Sequence, residues 1–539
     1  MFPVNFKLIR HISNLYSTHY SRQTIHHSLP IIHFLSGTTH QNPVSWRIKK
    51  ITMNDIDLVM QNAQDAFNSF KTLSAVERAN FLLEIAAAIE EARATLVPVA
   101  HEESNLPLVR LNGELTRTTN QLKMFAGLIS EGSWVEAAID TANPERTPPK
   151  PDTRKMLVPV GPVVVFGASN FPFAFSTAGG DTASALASGS SVVIKGHSAH
   201  AQTSQLVFEA MQRAIAKTGV HPYTVQHVLG SGSTTGKALV EHRNTTAVGF
   251  TGSFNGGRAL WELANQRETP IPVFAEMSSI NPVIFLPDTL QQNAAALAKS
   301  YAASITLGMG QFCTNPGLLI AVQSDALDNF LTLLGKEIEG ILPQKMLHSG
   351  IHAAYHIGLN KALSQKGIEK VGQAATAPGE YEAFPTVAKV QAGVFLQNPH
   401  LSEEVFGPYS LAVCCENKEE LIVVLKKLKG QLTTTIMATD ADIADNKDII
   451  DCQTTLAGRI ILNDVPTGVE VCASMVHGGP YPATTDGRYT SVGTTAIKRW
   501  TRPVCFQGFK DAMLPDALKN SNPLKIWRIV NNNWTQSSI

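Results

Sequence analysis

Cys313 is the residue around which chemistry can be built in this chain. It stands in Gly310-Gln311-Phe312-Cys313-Thr314-Asn315, where a flexible Gly-Gln precedes a sulfur that could serve as a nucleophile. Taken alone it reads sooner as a small buried hydrophobe, since cysteine is among the most buried side chains. Three other stretches reverse that preference: Ser169-Asn170-Phe171-Pro172, Phe274-Ala275-Glu276-Met277 and Glu404-Val405-Phe406-Gly407-Pro408. They add a side-chain amide, one carboxylate, and a second carboxylate beside an aromatic ring.

In this order and at these separations the four motifs resemble the aldehyde dehydrogenase superfamily, from about residue 54 to about 507. The resemblance implies oxidation of an aldehyde to a carboxylic acid through a cysteine thiohemiacetal and a thioester. Cys313 is then the nucleophile. Asn170 and the Cys313 backbone N–H are the oxyanion donors, each worth roughly 3–4 kcal/mol in comparable sites. Glu276 is the base for thioester hydrolysis, and in a partly apolar tunnel its pKa is expected to be raised. Its presence favours hydrolysis to a free acid over transfer to coenzyme A. Met277-Ser278-Ser279-Ile280 departs from the commoner Leu-Gly-Gly-Lys and marks a divergent branch. His477, in Met475-Val476-His477-Gly478-Gly479-Pro480, stands where many members carry an aromatic. It could act as a second base or thiol partner, or only as a structural hydrogen-bonder.

The same resemblance assigns the cofactor end. Lys195, in Val193-Ile194-Lys195-Gly196-His197-Ser198, matches the family's ribose-binding lysine. Ser198 stands where NAD-preferring members often carry a glutamate. A carboxylate there would repel a 2′-phosphate, whereas a hydroxyl can donate to it. NADP is the implied cofactor, with NAD also usable. Gly252, Ser253 and Gly257 resemble the phosphate-side turn ahead of a helix N-terminus. Glu404 and Phe406 correspond to the nicotinamide-side pair. The Gly-rich run 230–236 is close to the dinucleotide fingerprint without matching it.

Blocks at 166–185, 272–277 and 475–486 are similar to the branch whose members oxidise 2-oxoglutarate semialdehyde (2,5-dioxopentanoate). They are similar as well to a bacterial NADP-linked fatty aldehyde dehydrogenase. For the acidic aldehyde, Arg488 is a candidate carboxylate anchor. Readings from other classes are a cysteine-dependent esterase or acyl hydrolase and a non-catalytic use of the fold. The intact Lys195, Gly252, Ser253 and Glu404 set argues against the first, and retention of Cys313 and Glu276 against the second.

These residues need a scaffold. Helical periodicity runs from 54 to 70, a capping box at Ser74-Ala75-Val76-Glu77 opens a second helix, and a third amphipathic segment spans about 115–128. None of these is assigned chemistry. From 163 onward short apolar strands alternate with helices: strands at 163–166, 191–194, 224–229, 247–250 and 282–285, helices at 176–186, 200–217 and from 236. That alternation predicts an α/β fold with a parallel, doubly wound sheet and a cofactor at its carboxyl edge. The resemblance implies a Rossmann-type cofactor domain over 41–285, with an oligomerisation strand within 143–160. An α/β catalytic domain over 286–474 follows, then an active-site rim and small β oligomerisation arm over 475–515, then a surface tail over 516–539. A homodimer or homotetramer is implied.

Composition bounds the rest. The chain has 539 residues, with Lys+Arg and Asp+Glu both at 44, so net charge suggests neither a nucleic-acid partner nor an anionic membrane surface. No run approaches a membrane span. Six cysteines without Cys-x-x-Cys spacing fit a reducing compartment and argue against a zinc site, so no metal is expected. Vicinal Cys414 and Cys415 read as strand residues. The stretch before Asp55 has no carboxylate and carries Lys7, Arg10, Arg22, Arg47, Lys49 and Lys50. It reads as an unstructured extension of a cytoplasmic protein, or alternatively as a mitochondrial presequence.

Overall fold

The structure, a computed structural model, describes residues 52–539. The readings made for the basic leader lie outside the described residues. Thr52 caps the first helix, Met53–Phe70, in a capping box with Asp55, and Ser74 does the same with Glu77 for Ala75–Glu91. Two short polar side chains satisfy N–H groups that a helix start otherwise leaves unpaired.

Two parallel sheets carry the site. The first has five strands in the order Val225–Val228, Val192–Lys195, Val163–Phe166, Ala247–Thr251, Val273–Glu276. Chain order therefore reverses between Val163–Phe166 and Ala247–Thr251, and a crevice opens at their carboxyl ends. Val163, Val164, Val192, Val193 and Ile194 are completely buried, as expected for strands covered by helices on both faces. Each such side chain contributes about 1.5–3 kcal/mol relative to exposure.

The second sheet has seven strands. Its centre is Tyr409–Cys415, Leu318–Val322, Val283–Phe285 and Gln431–Met437, all parallel, and Glu369–Gln373 is an antiparallel edge. Here the sequence reading needs correction. Strand 282–285 was placed with the cofactor sheet, yet Val283–Phe285 pairs with Leu318–Val322 and Gln431–Met437 in the catalytic sheet. Asn281, at φ +46, turns the chain from one sheet to the other, and Val273–Glu276 completes the first. Cys414 and Cys415 are buried strand residues with free thiols.

A third sheet joins Thr501–Gln507, Thr153–Pro159, Ala138–Asp140, Arg528–Val530 and Asn533–Thr535. The surface tail expected after 516 is therefore corrected as well. Leu518 and Arg528 are fully buried, and the Arg528 guanidinium donates to the carbonyls of Lys519, Asn520 and Ser537. A cation tied to backbone carbonyls leaves no hydrophobic periodicity to read. Among the described residues no helix is long and apolar enough to cross a membrane.

Candidate active site

Cys313 follows a backbone that helical geometry cannot continue. Gly308, Met309 and Gly310 all have positive φ, which throws the chain out of helix Pro287–Thr306 and toward strand Leu318–Val322. At Gly310 a Cβ would lie 2.2 Å from the Gly407 carbonyl oxygen, so this crossing of the Cys313 loop with the Glu404–Pro408 loop requires glycine. The Asn281 amide donates to the carbonyls of Cys313 and Asn315, both at 2.9 Å. Gln431 Oε1 in turn accepts from the N–H groups of Ile280 and Asn281. Sequence reasoning missed both side chains, because neither belongs to a local motif.

Glu276 ends the fifth strand of the cofactor sheet. Segment 475–491 lies along that strand, with Met277 N–H donating to Ala483 and Thr485 N–H to Ala275, and brings His477 against the carboxylate. His477 Nε2 stands 3.0 Å from Glu276 Oε1 and 3.4 Å from Cys313 Sγ. Ser491 Oγ donates to Glu276 Oε2 at 2.8 Å. Thr490 Oγ1 accepts from the His477 backbone N–H at 2.8 Å, which holds the main chain that carries the ring.

The electrostatics of this trio correct one expectation. Burial works to raise the Glu276 carboxyl, but the His477 imidazole and hydrogen bonds from His477, Ser491 and Cys313 outweigh it and hold it below the ordinary value. Cys313 moves the other way: burial first, then the Glu276 charge and hydrogen bond, push its thiol well up, opposed by Arg117. The resting pair is therefore a protonated thiol beside an ionised carboxylate. Donor atoms of Glu276, Cys313 and His477 lie within 4.8 Å of one another. Ligand-spacing arguments along the sequence do not reach such a set, drawn from three separate segments.

Asn170 closes the other side. Its Nδ2 donates to the Gln311 carbonyl at 3.2 Å, two residues before Cys313, and its second amide hydrogen stays available. Its own carbonyl accepts from Arg110 Nη2 at 2.8 Å, and the Arg110 guanidinium lies between the rings of Phe171 and Phe312. Glu114 Oε1 accepts from the N–H groups of Phe173 and Ala174. Arg110, Glu114 and Arg117 share one side of helix Leu108–Glu131, at steps of four and three. Sequence reasoning assigned that helix no chemistry, although charges at helical spacing beside an apolar stripe were the signal available. Arg488, the expected anchor, is corrected: its side chain is 83% exposed and Nη2 pairs with Asp486 at 2.5 Å.

Lys195, Ser198, Gly252, Ser253 and Gly257 lie at or just past the carboxyl ends of first-sheet strands, whereas Glu404 and Phe406 precede strand Tyr409–Cys415 of the second. Lys195 ends its strand, and its ammonium has no partner among the described residues. Ser198, exposed, opens the short turn before helix Ala201–Thr218. Burial, helped by His200 and Lys195, lowers the neighbouring His197 to about 3, so it brings no charge. Ser253 caps helix Phe254–Asn265 by accepting from Gly256 N–H. Gly252 N–H donates to the Glu276 carbonyl, and a Cβ on Gly252 would lie 2.7 Å from the Phe250 ring. Gly257 faces Met277, where a Cβ would come within 2.6 Å. Glu404 and Phe406 share a pocket with Phe312 and Asn315 beside the Cys313 loop. Burial pushes the Glu404 carboxyl up to about 7 despite the nearby Ser278 hydroxyl and Ser279 N–H.

The aldehyde dehydrogenase family model matches residues 38–501. Alpha-ketoglutaric semialdehyde dehydrogenase from Acinetobacter baylyi is 45% identical over 517 residues, covering 96% of this chain and 98% of that protein. Alpha-ketoglutaric semialdehyde dehydrogenase 2 from Azospirillum brasilense is 46% identical over 476 residues, 88% of this chain and 91% of that one. Betaine aldehyde dehydrogenase from Staphylococcus aureus, solved in complex with NAD+, superposes with a TM-score of 0.72 at 20% identity, over 85% of this chain and 88% of that one.

Proposed function

The chain belongs to the aldehyde dehydrogenase family, and we propose that within it the enzyme oxidises 2,5-dioxopentanoate to 2-oxoglutarate, using NADP and also accepting NAD. The observation that carries the reading is the trio of half-buried Cys313 with buried His477 and Glu276, the last of these ending a strand of a dinucleotide-type sheet. The substrate follows from the two relatives that share nearly half their residues with this chain.

The residues fit the cofactor. An unpartnered Lys195 ammonium, a capped helix N-terminus behind Gly252 and Ser253, and the Glu404 carboxylate form a cradle for a sugar-phosphate chain. Lys195 and Ser198 would hold the adenosine ribose and a 2′-phosphate, and Glu404 the nicotinamide ribose. When bound, the nicotinamide supplies the hydride acceptor. Cys313 adds to the aldehyde carbon, and the thiol proton passes to Glu276, which His477 and Ser491 hold in place. The oxyanion faces the Cys313 N–H and the free hydrogen of the Asn170 amide. Once hydride has left, Cys313 carries a thioester. Glu276 releases its proton to solvent and, ionised again, takes one from the water that cleaves the thioester.

Initial rates of NADPH and NADH formation test the reading, with 2,5-dioxopentanoate, succinate semialdehyde and a long-chain aldehyde as substrates. The highest kcat/KM is expected for 2,5-dioxopentanoate with NADP. A long-chain aldehyde better by tenfold, about 1.4 kcal/mol in transition-state binding, overturns the substrate assignment. Strand Thr501–Gln507, exposed at the edge of its sheet, supports a homo-oligomer built through that edge, which sedimentation would reveal.

A further inference from the structure

Arg117 is a guanidinium with nothing to hold. Its Nε and Nη2 are buried without a hydrogen-bond partner, and it forms no ion pair among the described residues. A buried cation in that state costs free energy that a paired one does not. Its helix neighbours are partly occupied: Arg110 Nη2 donates to the Asn170 carbonyl and Glu114 Oε1 accepts from two backbone N–H groups, while Arg110 Nη1 and Glu114 Oε2 are left without hydrogen-bond partners. Arg459, also near Cys313, donates to the carbonyls of Pro466 and Gly468. The acidic neighbour Glu470 is exposed, and its Oε1 accepts from Val471 N–H.

Arg117 looks into the site. Its Cζ lies 5.4 Å from the centre of the Phe175 ring, and that ring lies 6.3 Å from His477, the contact of Cys313 and Glu276. The contacts thus run from the guanidinium through the Phe175 ring and the His477 imidazole to the Cys313 thiol. The charge is felt at Cys313, whose thiol it pulls downward against burial. A planar fork of N–H donors matches a carboxylate in two-point contact, and its desolvation is offset when an anion arrives.

We infer that Arg117 receives the carboxylate of an aldehyde acid, while Cys313 attacks the aldehyde at the other end of the same short chain. This rests on the acidic-aldehyde reading above and names the group that selects for it, in the place that Arg488 does not fill. Glu114 and Phe175 act on it as positioning residues.

The test compares wild type, Arg117→Met and Arg117→Lys with 2,5-dioxopentanoate, succinate semialdehyde and pentanal. For Arg117→Met, kcat/KM for both acids relative to pentanal is expected to fall about 30-fold or more, chiefly through KM, with Arg117→Lys intermediate. Equal losses on acids and pentanal in a variant with a wild-type thermal melt overturn the proposal and leave the substrate reading standing. A wild type that prefers succinate semialdehyde, with the same acid-specific loss in the variant, overturns the substrate reading and leaves Arg117 standing. If the Met variant does not fold, the acid-to-neutral ratio of Arg117→Lys decides, and an unchanged ratio there overturns the proposal.

Discussion

His477 Nε2 stands 3.0 Å from Glu276 Oε1, and these two nearly inaccessible side chains come from positions 201 residues apart. The imidazole, with the Ser491 hydroxyl and the Cys313 thiol, holds this carboxyl below its ordinary value against burial.

Glu276→Gln removes the acceptor of the thiol proton as well as the base for hydrolysis, so both acylation and deacylation are expected to slow. Stopped-flow mixing should show a burst of reduced cofactor slower than that of the wild type, followed by turnover slowed about 10²–10⁴-fold. A burst at the wild-type rate would remove Glu276 from the acylation step.

Replacing His477 by Gln removes a contribution that lowers the Glu276 carboxyl. The carboxyl then rises and is ionised over a narrower range, so the acidic limb of the kcat profile should move to higher pH. A limb that stays in place would belong to another group.

Glu404 titrates near 7 because burial disfavours its charge. In its proposed role as an acceptor for ribose hydroxyls it must be ionised, so cofactor affinity should weaken as pH falls through about 7. The sign for stability is opposite. The folded carboxyl binds its proton more tightly than the unfolded one, near 4.5, so this contribution is full below 4.5 and is lost as pH rises through about 7. Glu404→Gln should flatten both dependences, read by equilibrium titration of NADP and by thermal melts of the apo-enzyme.

Asn281→Ala removes two hydrogen bonds that hold the Cys313 loop and leaves the carbonyls of Cys313 and Asn315 without this donor. A loss of about 1–3 kcal/mol in urea unfolding is expected for each buried group left unsatisfied, with a fall in kcat. Unchanged stability would show that the loop finds other donors.

Ser198→Glu should lower the NADP-to-NAD ratio of kcat/KM, since a carboxylate beside Lys195 repels a 2′-phosphate and accepts from ribose hydroxyls. A constant ratio would remove Ser198 from cofactor selection.

Much of this was legible along the chain. The capping boxes at Thr52 and Ser74, the buried strands at 163–166 and 192–195, and the Cys313 loop are written in contiguous residues. Caps, hydrophobic period and glycine turns act over a few positions, so such local signals survive without the fold. Chemical identity was legible for the same reason, because each of the four motifs keeps its groups within one short segment.

Other features depended on pairings between distant segments. Val283–Phe285 has the composition of a strand in either sheet, and only its neighbours at 318–322 and 431–437 choose between them. Strand Arg528–Val530 enters its sheet beside Ala138–Asp140, far earlier in the chain, and Asn533–Thr535 joins only through that strand. Arg117 and Arg488 look alike as residue types. One is left buried and unpaired by the helix that carries it, and the other is claimed by Asp486 in water. Sequence determined which groups were available for chemistry. Tertiary packing decided which of them lost water and which found partners, and in a buried site that choice sets where a proton rests and which charge stays free to bind substrate.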